Sequence, residues 1–136
     1  MKKISKLILA LCFISGFFST SCTKDSGNTP AITRSSLLGT WLENDSGKKG
    51  TYEVIFQADT SATGILIVNF GGCGQNMKAI AYLSGSTLAL NTNELLGNGW
   101  IINGSGTVTG STLINWPYSL HDGATLTNFQ ATFTKK

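Results

Sequence analysis

The side chains with catalytic potential are few and scattered along this 136-residue sequence. The single histidine, His121, precedes Asp122 and Gly123, a pair that is typical of a hairpin turn. A catalytic histidine needs a nucleophile within hydrogen-bonding distance and a further group that orients its ring. The sequence around His121 supplies neither, and we therefore predict that His121 is a surface turn residue.

Cys73 lies in a glycine-rich stretch, Phe70–Gln75. A cysteine nucleophile needs a nearby base such as His121, an arrangement that the sequence permits without indicating it. Two other interpretations stay open. Cys73 is either a small buried apolar residue or an exposed loop thiol that pairs between chains.

Acidic residues offer no convincing ligand set for a metal. Glu43 and Asp45 are two residues apart and could contact Ca²⁺ weakly, but we favour a polar loop at this position. One histidine and seven scattered acidic residues show no metal-ligand spacing. The sequence therefore predicts no catalytic residue, no metal site and no cofactor, and we expect a protein that is not an enzyme.

Aromatic side chains are the stronger functional signal. Tryptophan and tyrosine line many small-molecule sites because they combine flat apolar area with one polar group. In so small a domain they are equally suited to form the core, and we favour that interpretation. The candidate ligand-binding residues are Trp41, Tyr52, Trp100, Trp116 and Tyr118.

The elements that would position these residues are short β-strands. Runs rich in β-branched and aromatic residues recur between clusters of Gly, Asn, Asp and Ser, and no stretch keeps a helical apolar period. Ser35–Leu38 allows one helical turn at most. The eight predicted strands are Gly39–Asn44, Thr51–Gln57, Gly64–Phe70, Met77–Leu83, Thr87–Asn91, Trp100–Val108, Thr112–Leu120 and Thr125–Thr134. This pattern predicts an all-β, antiparallel up-and-down meander that forms a barrel, with a β-sandwich as the alternative.

Turn residues predict how the strands pair. Gly85 and Gly110 each precede Ser-Thr-Leu and suit the first central position of a type II′ hairpin, and Asp122-Gly123 suits a type I′ turn. A two-residue turn at Asp122 would place Trp116 opposite Phe129. One face would then be apolar, with Ile114, Trp116, Tyr118, Leu120, Phe129 and Phe133, and the other would be polar.

The turn at Gly110 adds two polar candidates. If its loop also has two residues, Thr107 faces Ile114 and Ser105 faces Trp116 across the pair. These hydroxyls would share the barrel interior with aromatic rings, which is costly unless water or a ligand is present. Ser105 and Thr107 therefore join the candidate ligand-binding residues.

The N-terminus has the order of an export signal. Lys2, Lys3 and Lys6 precede an apolar run from Leu7 to Phe18, and small residues follow it. The run is too short to span a bilayer, which needs about 20 apolar residues. We predict a cleaved signal peptide over residues 1–21, a flexible tether over 22–35 and a β-barrel domain over 36–136.

The residues around the predicted cleavage point extend this interpretation. Ser19-Thr20-Ser21-Cys22 resembles a bacterial lipoprotein signal, and the resemblance implies cleavage before Cys22 and its acylation by chains such as palmitate. Two or more acyl chains anchor a protein stably. Thr23 stands where an aspartate would suggest inner-membrane retention, and by analogy this favours the outer membrane.

Residues at both ends of the domain carry a second resemblance. Gly39-Thr40-Trp41 resembles the first strand of lipocalins and avidins, and Phe129–Lys135 resembles the closing strand of small bacterial lipocalin-like lipoproteins. Residues 104–135 are similar to the C-terminal hairpins of the same proteins. The resemblance implies an eight-stranded barrel whose closed end is plugged by Trp41, whereas a sandwich would place Trp41 in an ordinary core.

Charge narrows the choice of partners. The three lysines of the signal peptide account for the whole formal net charge of +3, so the remaining chain is neutral and carries no nucleic-acid footprint. We expect a lipid-anchored binding module of the cell envelope for a small apolar or aromatic ligand or a partner protein. The alternative is a structural or inhibitor-like envelope lipoprotein whose filled barrel acts through a surface patch, in the region of Asn91–Trp100.

Overall fold

The computed structural model describes residues 31–47 and 50–136. Their elements are α1 (Arg34–Leu37), β1 (Gly39–Asp45), β2 (Thr51–Ala58), β3 (Gly64–Val68), β4 (Lys78–Ser84), β5 (Thr87–Leu90), β6 (Glu94–Gly97), β7 (Trp100–Thr109), β8 (Leu113–His121) and β9 (Leu126–Lys135), with a 3-10 turn at Phe70–Gly72 between β3 and β4. The predicted signal peptide, Cys22 and most of the predicted tether lie outside the described residues. The helix α1 begins at Arg34, inside the range predicted as tether.

The strands form one closed antiparallel barrel. Their order is β5-β4-β3-β2-β1-β9-β8-β7-β6, and β5 pairs with β7 to close the sheet. Both β5 and β6 lie along β7, so together they form one strand that is interrupted at residues 91–93. The barrel therefore has eight strands in up-and-down order, which confirms the predicted fold class over the sandwich alternative.

Two elements differ from the predicted ones: the predicted strand Gly64–Phe70 ends at Val68 before the 3-10 turn, and β6 lies where no strand was predicted. The surroundings of β6, Asn91–Trp100, are rich in Asn and Gly. Asn93 and Asn98 have positive φ angles of 57° and 52°, which allow the sharp turns on either side of β6. The Glu94 side chain joins β6 to β4, because its Oε1 accepts a hydrogen bond from the Ile80 amide at 2.9 Å.

The pairing of β8 with β9 differs from the predicted register by two residues. Trp116 lies opposite Ala131 and not opposite Phe129, because the connection is a four-residue loop over 122–125. Asp122 Oδ1 stabilises this loop by accepting hydrogen bonds from the amides of Ala124 and Thr125. A shift of two keeps every side chain on its face, so the predicted apolar inner face and polar outer face are confirmed.

The pairing of β7 with β8 differs from the predicted register by one residue. Unlike the shift of two, this shift changes which face of the strand is buried. Thr107 lies opposite Asn115 and not opposite Ile114, because three residues, 110–112, connect the strands. A shift of one turns a strand over, so Ser105 and Thr107 are exposed on the outside of the barrel. The prediction that their hydroxyls face the interior is wrong. The two-residue turn at Gly85 is confirmed, with Ser84 opposite Thr87.

The helix α1 closes one end of the barrel. Leu37 is fully buried, and Trp41 Nε1 donates a hydrogen bond of 2.8 Å to the Leu37 carbonyl oxygen. The Trp41 ring stacks on Phe56 with centroids 5.3 Å apart, and Lys135 Nζ lies 5.8 Å from its centroid. Trp41 therefore plugs this end of the barrel, as the family resemblance implied.

The interior is filled by the barrel's own side chains. Trp41, Phe70, Trp116 and Phe133 are fully buried, and Phe56 is 1% exposed. Phe70 packs edge-on against Trp116 with centroids 5.0 Å apart, and the Trp116 and Phe133 rings lie 5.7 Å apart. Side chains with no accessible surface leave no space beside them for even a water molecule, so these aromatic residues form a packed core.

Candidate functional site

Two acidic residues lie inside this apolar barrel. Trp41, Glu43 and Asp45 alternate on β1 and all point inward, with Glu43 fully buried and Asp45 4% exposed. The interpretation of this pair as a polar loop is wrong. Strict alternation on a strand places every second residue on one face, and Glu43 therefore shares the face of Trp41. The alternation from Trp41 was the signal that sequence reasoning missed.

Two tyrosines complete what we call the acid–phenol cluster, formed by Glu43, Asp45, Tyr52 and Tyr118. The Tyr118 hydroxyl lies 3.1 Å from Glu43 Oε1 and 3.4 Å from Asp45 Oδ2. The Tyr52 hydroxyl donates to Asp45 Oδ2 and lies 3.5 Å from Glu43 Oε1. Buried carboxylates need such donors, and each phenol here lies between both acids.

The electrostatics of the cluster keep both phenols protonated. Burial raises the pKa of Tyr118 far above its ordinary value of 10.0, and the negative charge of Glu43 raises it further. Burial also raises the pKa of Tyr52, with a second contribution from its hydrogen bond to Asp45. Because an ionised phenolate beside two carboxylates would be strongly unfavourable, the phenols act as hydrogen-bond donors and not as bases.

A glycine-rich segment covers the cluster at the end of the barrel opposite α1. We call it the cap loop, residues 69–77. Phe70 inserts among the core rings, and the Gly71 amide donates a hydrogen bond of 3.0 Å to Glu43 Oε2. Gly71 and Gly72 have φ angles of 66° and 64°, and a Cβ on Gly72 would lie 3.0 Å from the Tyr52 ring. Only glycine fits this close approach.

Cys73 and His121, the two side chains considered for catalysis, lie in the cap loop and at the end of β8. Cys73 is half-buried in the cap loop, with its Sγ 3.6 Å from the Gly71 carbonyl oxygen. His121 ends β8 and its Nδ1 accepts a hydrogen bond of 3.1 Å from the Gly123 amide. Within the described ranges, no three His, Cys, Asp or Glu side chains lie together as potential metal ligands. The expected absence of catalysis and of a metal stays a prediction.

The structure separates the predicted ligand-binding residues. Trp41 and Trp116 are core residues, and Tyr52 and Tyr118 belong to the acid–phenol cluster. Trp100 is the first residue of β7 and packs, half-buried, against the core. Trp116 Nε1 is buried, and among the described residues it has no hydrogen-bond partner. With Ser105 and Thr107 on the outside, these seven residues do not form one cavity.

A shallow groove lies instead on the outer face of β7, β8 and β9. Its volume is about 330 Å³, and it is lined by Asn103, Gly104, Pro117, Tyr118, Ser119, Asn128, Phe129 and Gln130. Asn103, Ser119 and Asn128 form one cross-strand row, and Pro117 pairs with Gln130 in the next. We call this concavity the outer groove. Sequence reasoning missed it because it depends on how β7, β8 and β9 pair.

An apolar row runs beside the outer groove. Leu95, Ile101, His121 and Leu126 are successive cross-strand partners on β6 to β9. Leu95 and Leu126 are 65% and 60% exposed, the largest exposures of any large apolar side chain in the described part of the chain. The outer surface thus carries both a polar concavity and exposed apolar side chains. One of these apolar side chains, Leu95, lies within Asn91–Trp100.

Comparisons of the chain with protein-family models, curated proteins and solved structures find no match. The closed eight-stranded barrel is compatible with a lipocalin-like fold, and the family resemblance stays a prediction. No helix in the described ranges is long and apolar enough to cross a membrane. Function must therefore be argued from the surfaces of the barrel itself.

Proposed function

We propose that this protein is a lipid-anchored β-barrel of the bacterial cell envelope that binds its ligand or partner without catalysis, through the outside of the barrel. The filled interior is the observation that favours the outside of the barrel as the binding surface. A binding module for a small apolar ligand needs a concave, enclosed site, typically of 300–1,000 Å³. Here the fully buried rings of Trp41, Trp116 and Phe133 occupy that space.

Both ends of the barrel support the same choice. At one end α1 and Trp41 close the interior, and Lys135 Nζ donates to the Ser36 carbonyl oxygen at 2.5 Å to hold the helix. At the other end the cap loop is held by the hydrogen bond from Gly71 to Glu43. A ligand would have to displace buried, hydrogen-bonded groups to enter, whereas the outer groove is already open.

The anchor is proposed from the sequence around Cys22. Acylation there would place lipid nine residues before Ala31, and the segment 31–33 runs directly into α1. The tether would span at most about 30 Å when extended. The α1 end of the barrel would then be nearest the membrane, by analogy the outer membrane, and the cap-loop end would be farthest from it.

Mass spectrometry of the full-length protein from its own cells tests the anchor. We expect a chain that begins at Cys22 and carries acyl groups, and we expect Cys22→Ala to lose both the acyl mass and the membrane association. An unmodified Cys22 in the wild-type protein would refute lipid anchoring. The control Cys73→Ala should keep the acylation unchanged, since this thiol lies in the barrel domain.

Tryptophan fluorescence tests the choice between interior and outer surface. Trp41 and Trp116 report on the interior, so titration with the apolar probe N-phenyl-1-naphthylamine should leave the tryptophan emission of the folded protein unchanged. Saturable quenching that Trp116→Phe reduces would show an apolar ligand inside the barrel and would contradict the proposal. Loss of quenching in Trp100→Phe alone would place the probe at the rim.

A further inference from the structure

We propose that the outer groove is a binding site for a neutral, hydroxyl-rich ligand, specifically a segment of an uncharged glycan chain. This inference rests on the outer-surface function proposed above and names the ligand class of that surface. It follows from three properties of the groove: its position between two rows of outward-facing side chains, the lack of charge among the described residues that line it, and its free hydrogen-bonding groups.

The groove lies where β7 packs closely on β8. A Cβ on Gly104 would lie 2.6 Å from the Pro117 carbonyl oxygen, closer than this packing permits. The concavity, of about 330 Å³, lies between the outward-facing side chains of two neighbouring rows. The groove is shallow and open, which suits a polymer segment lying across the strands and not an enclosed small molecule.

The described lining carries no charge. None of the described residues that line the groove is Lys, Arg, Asp or Glu, and in strands β7, β8 and β9, of 10, 9 and 10 residues, Lys135 is the only one. Lys135 lies at the α1 end of the barrel, where it contacts Ser36 and Trp41. The described lining offers no counter-charge to a charged polymer, whereas a neutral ligand needs none.

The polar side chains of the lining suit hydroxyl groups. A carboxamide both donates and accepts hydrogen bonds, as a sugar hydroxyl does. The side chains of Asn128 and Gln130 are exposed and make no hydrogen bond within the described residues. Asn103 is fixed in place, because its Oδ1 accepts from the Asn93 amide at 2.6 Å and its Nδ2 donates to Asn93 Oδ1 at 3.3 Å.

The remaining lining supplies an apolar surface. The Pro117 ring is exposed in the row beside Gly104, opposite Gln130. A sugar ring presents hydroxyls at its edge and C–H groups on its face, so a flat apolar ring beside carboxamides matches both features. A protein partner would instead use exposed apolar anchors, which this surface places in the neighbouring row at Leu95 and Leu126.

The test is a calorimetric titration of the full-length protein, purified in a detergent without a sugar headgroup. The neutral probes are the hexasaccharides of maltose, cellulose and chitin type, and polygalacturonate is the charged control. We expect at least one neutral probe to bind and polygalacturonate not to bind. In the double variant Asn128→Ala, Gln130→Ala the affinity should fall at least about tenfold, as the loss of one or two hydrogen bonds predicts.

A matched variant controls for general effects of substitution. Asn115→Ala with Thr132→Ala removes two polar side chains, one carboxamide and one hydroxyl, from the outer face of β8 and β9, outside the groove, and should keep the wild-type affinity. Equal losses in both double variants would overturn the groove as the site. Binding of polygalacturonate alone would overturn the ligand class.

The outcomes also separate this inference from the proposed function. If no neutral probe binds and the interior excludes N-phenyl-1-naphthylamine, the glycan inference is wrong while an outer-surface function stands. In that case Leu95→Ser should weaken a protein partner identified by cross-linking. If the apolar probe binds inside the barrel and no glycan binds, both proposals are wrong.

Discussion

Replacing Tyr118 with Phe removes one oxygen atom from the acid–phenol cluster and leaves the ring in place. The ring keeps its contacts with Phe70 and Phe129, each with centroids 5.0 Å away. The lost hydroxyl lies 3.1 Å from Glu43 Oε1, and a hydrogen bond to a charged group contributes about 1.5–3 kcal/mol. We therefore expect Tyr118→Phe to lower the free energy of unfolding by about 2 kcal/mol, or Tm by about 10 °C.

The pH dependence of stability gives a second, independent measure of the same group. Because the pKa of Tyr118 is raised in the folded protein above its ordinary 10.0, the unfolded chain releases the proton first as pH rises. The stabilisation is therefore complete below pH 10 and is lost above it. For one tyrosine the slope approaches about 1.4 kcal/mol per pH unit above pH 10, and Tyr52, whose pKa is also raised, adds to the slope.

Urea unfolding monitored by circular dichroism, at pH 7 and between pH 10 and 11, measures both effects. The control is Tyr82→Phe, which changes a half-buried tyrosine with no side-chain hydrogen bond in the described structure and should stay within about 0.5 kcal/mol. The reasoning is refuted if Tyr118→Phe costs no more than this control. It is equally refuted if the wild-type protein and Tyr118→Phe lose stability at the same rate above pH 10.

Three further outcomes test other features of the barrel. A Cβ on Gly106 would lie 2.7 Å from the buried Trp116 ring, so Gly106→Ala should cost about 1–3 kcal/mol in urea unfolding, and an unchanged midpoint would contradict that packing. Glu94→Ala should speed hydrogen exchange of the Ile80 amide while Glu94→Gln, which keeps an acceptor oxygen, should not; equal rates in the two variants would show that β4 and β6 are joined otherwise. The carboxyl of Asp122 should titrate with a pKa below 3.8 by NMR because two amides of its loop donate to it, and a value at or above 3.8 would place those amides elsewhere.

The period of the apolar residues explains why the fold could be predicted. The alternation of apolar residues in β8 and β9 predicted which face of each strand is buried. The predicted loop at Asp122 was two residues too short, and a register shift of two leaves the buried face unchanged. Ser105 was placed on the wrong face for a related reason. Its face depended on one loop length at Gly110, and a single additional residue reversed it.

The polar interior could be predicted only in part. The alternation from Trp41 could have placed Glu43 inward, but no pattern in the sequence indicates that Tyr118, 75 positions later, contacts it. That contact depends on the barrel closing and on the cap loop folding over the end, where Gly71 supplies a further donor. The outer groove was equally hidden, since it depends on the pairing of β7, β8 and β9.

The placement of these features along the barrel favours recognition at a distance from the membrane. A ten-residue strand tilted by about 40° rises about 25 Å, and α1 stands at the end to which the proposed tether leads. The outer groove lies nearer the opposite end, because Asn103 is in the first half of β7 and Asn128 in the first half of β9. A lipid at Cys22 would therefore hold the groove some tens of ångströms from the headgroups, where envelope polymers are reached more readily than lipid. The acid–phenol cluster fits this proposal, because the hydrogen bond from Gly71 to Glu43 holds the cap loop over the filled interior, and the proposed binding surface is the outside of the barrel.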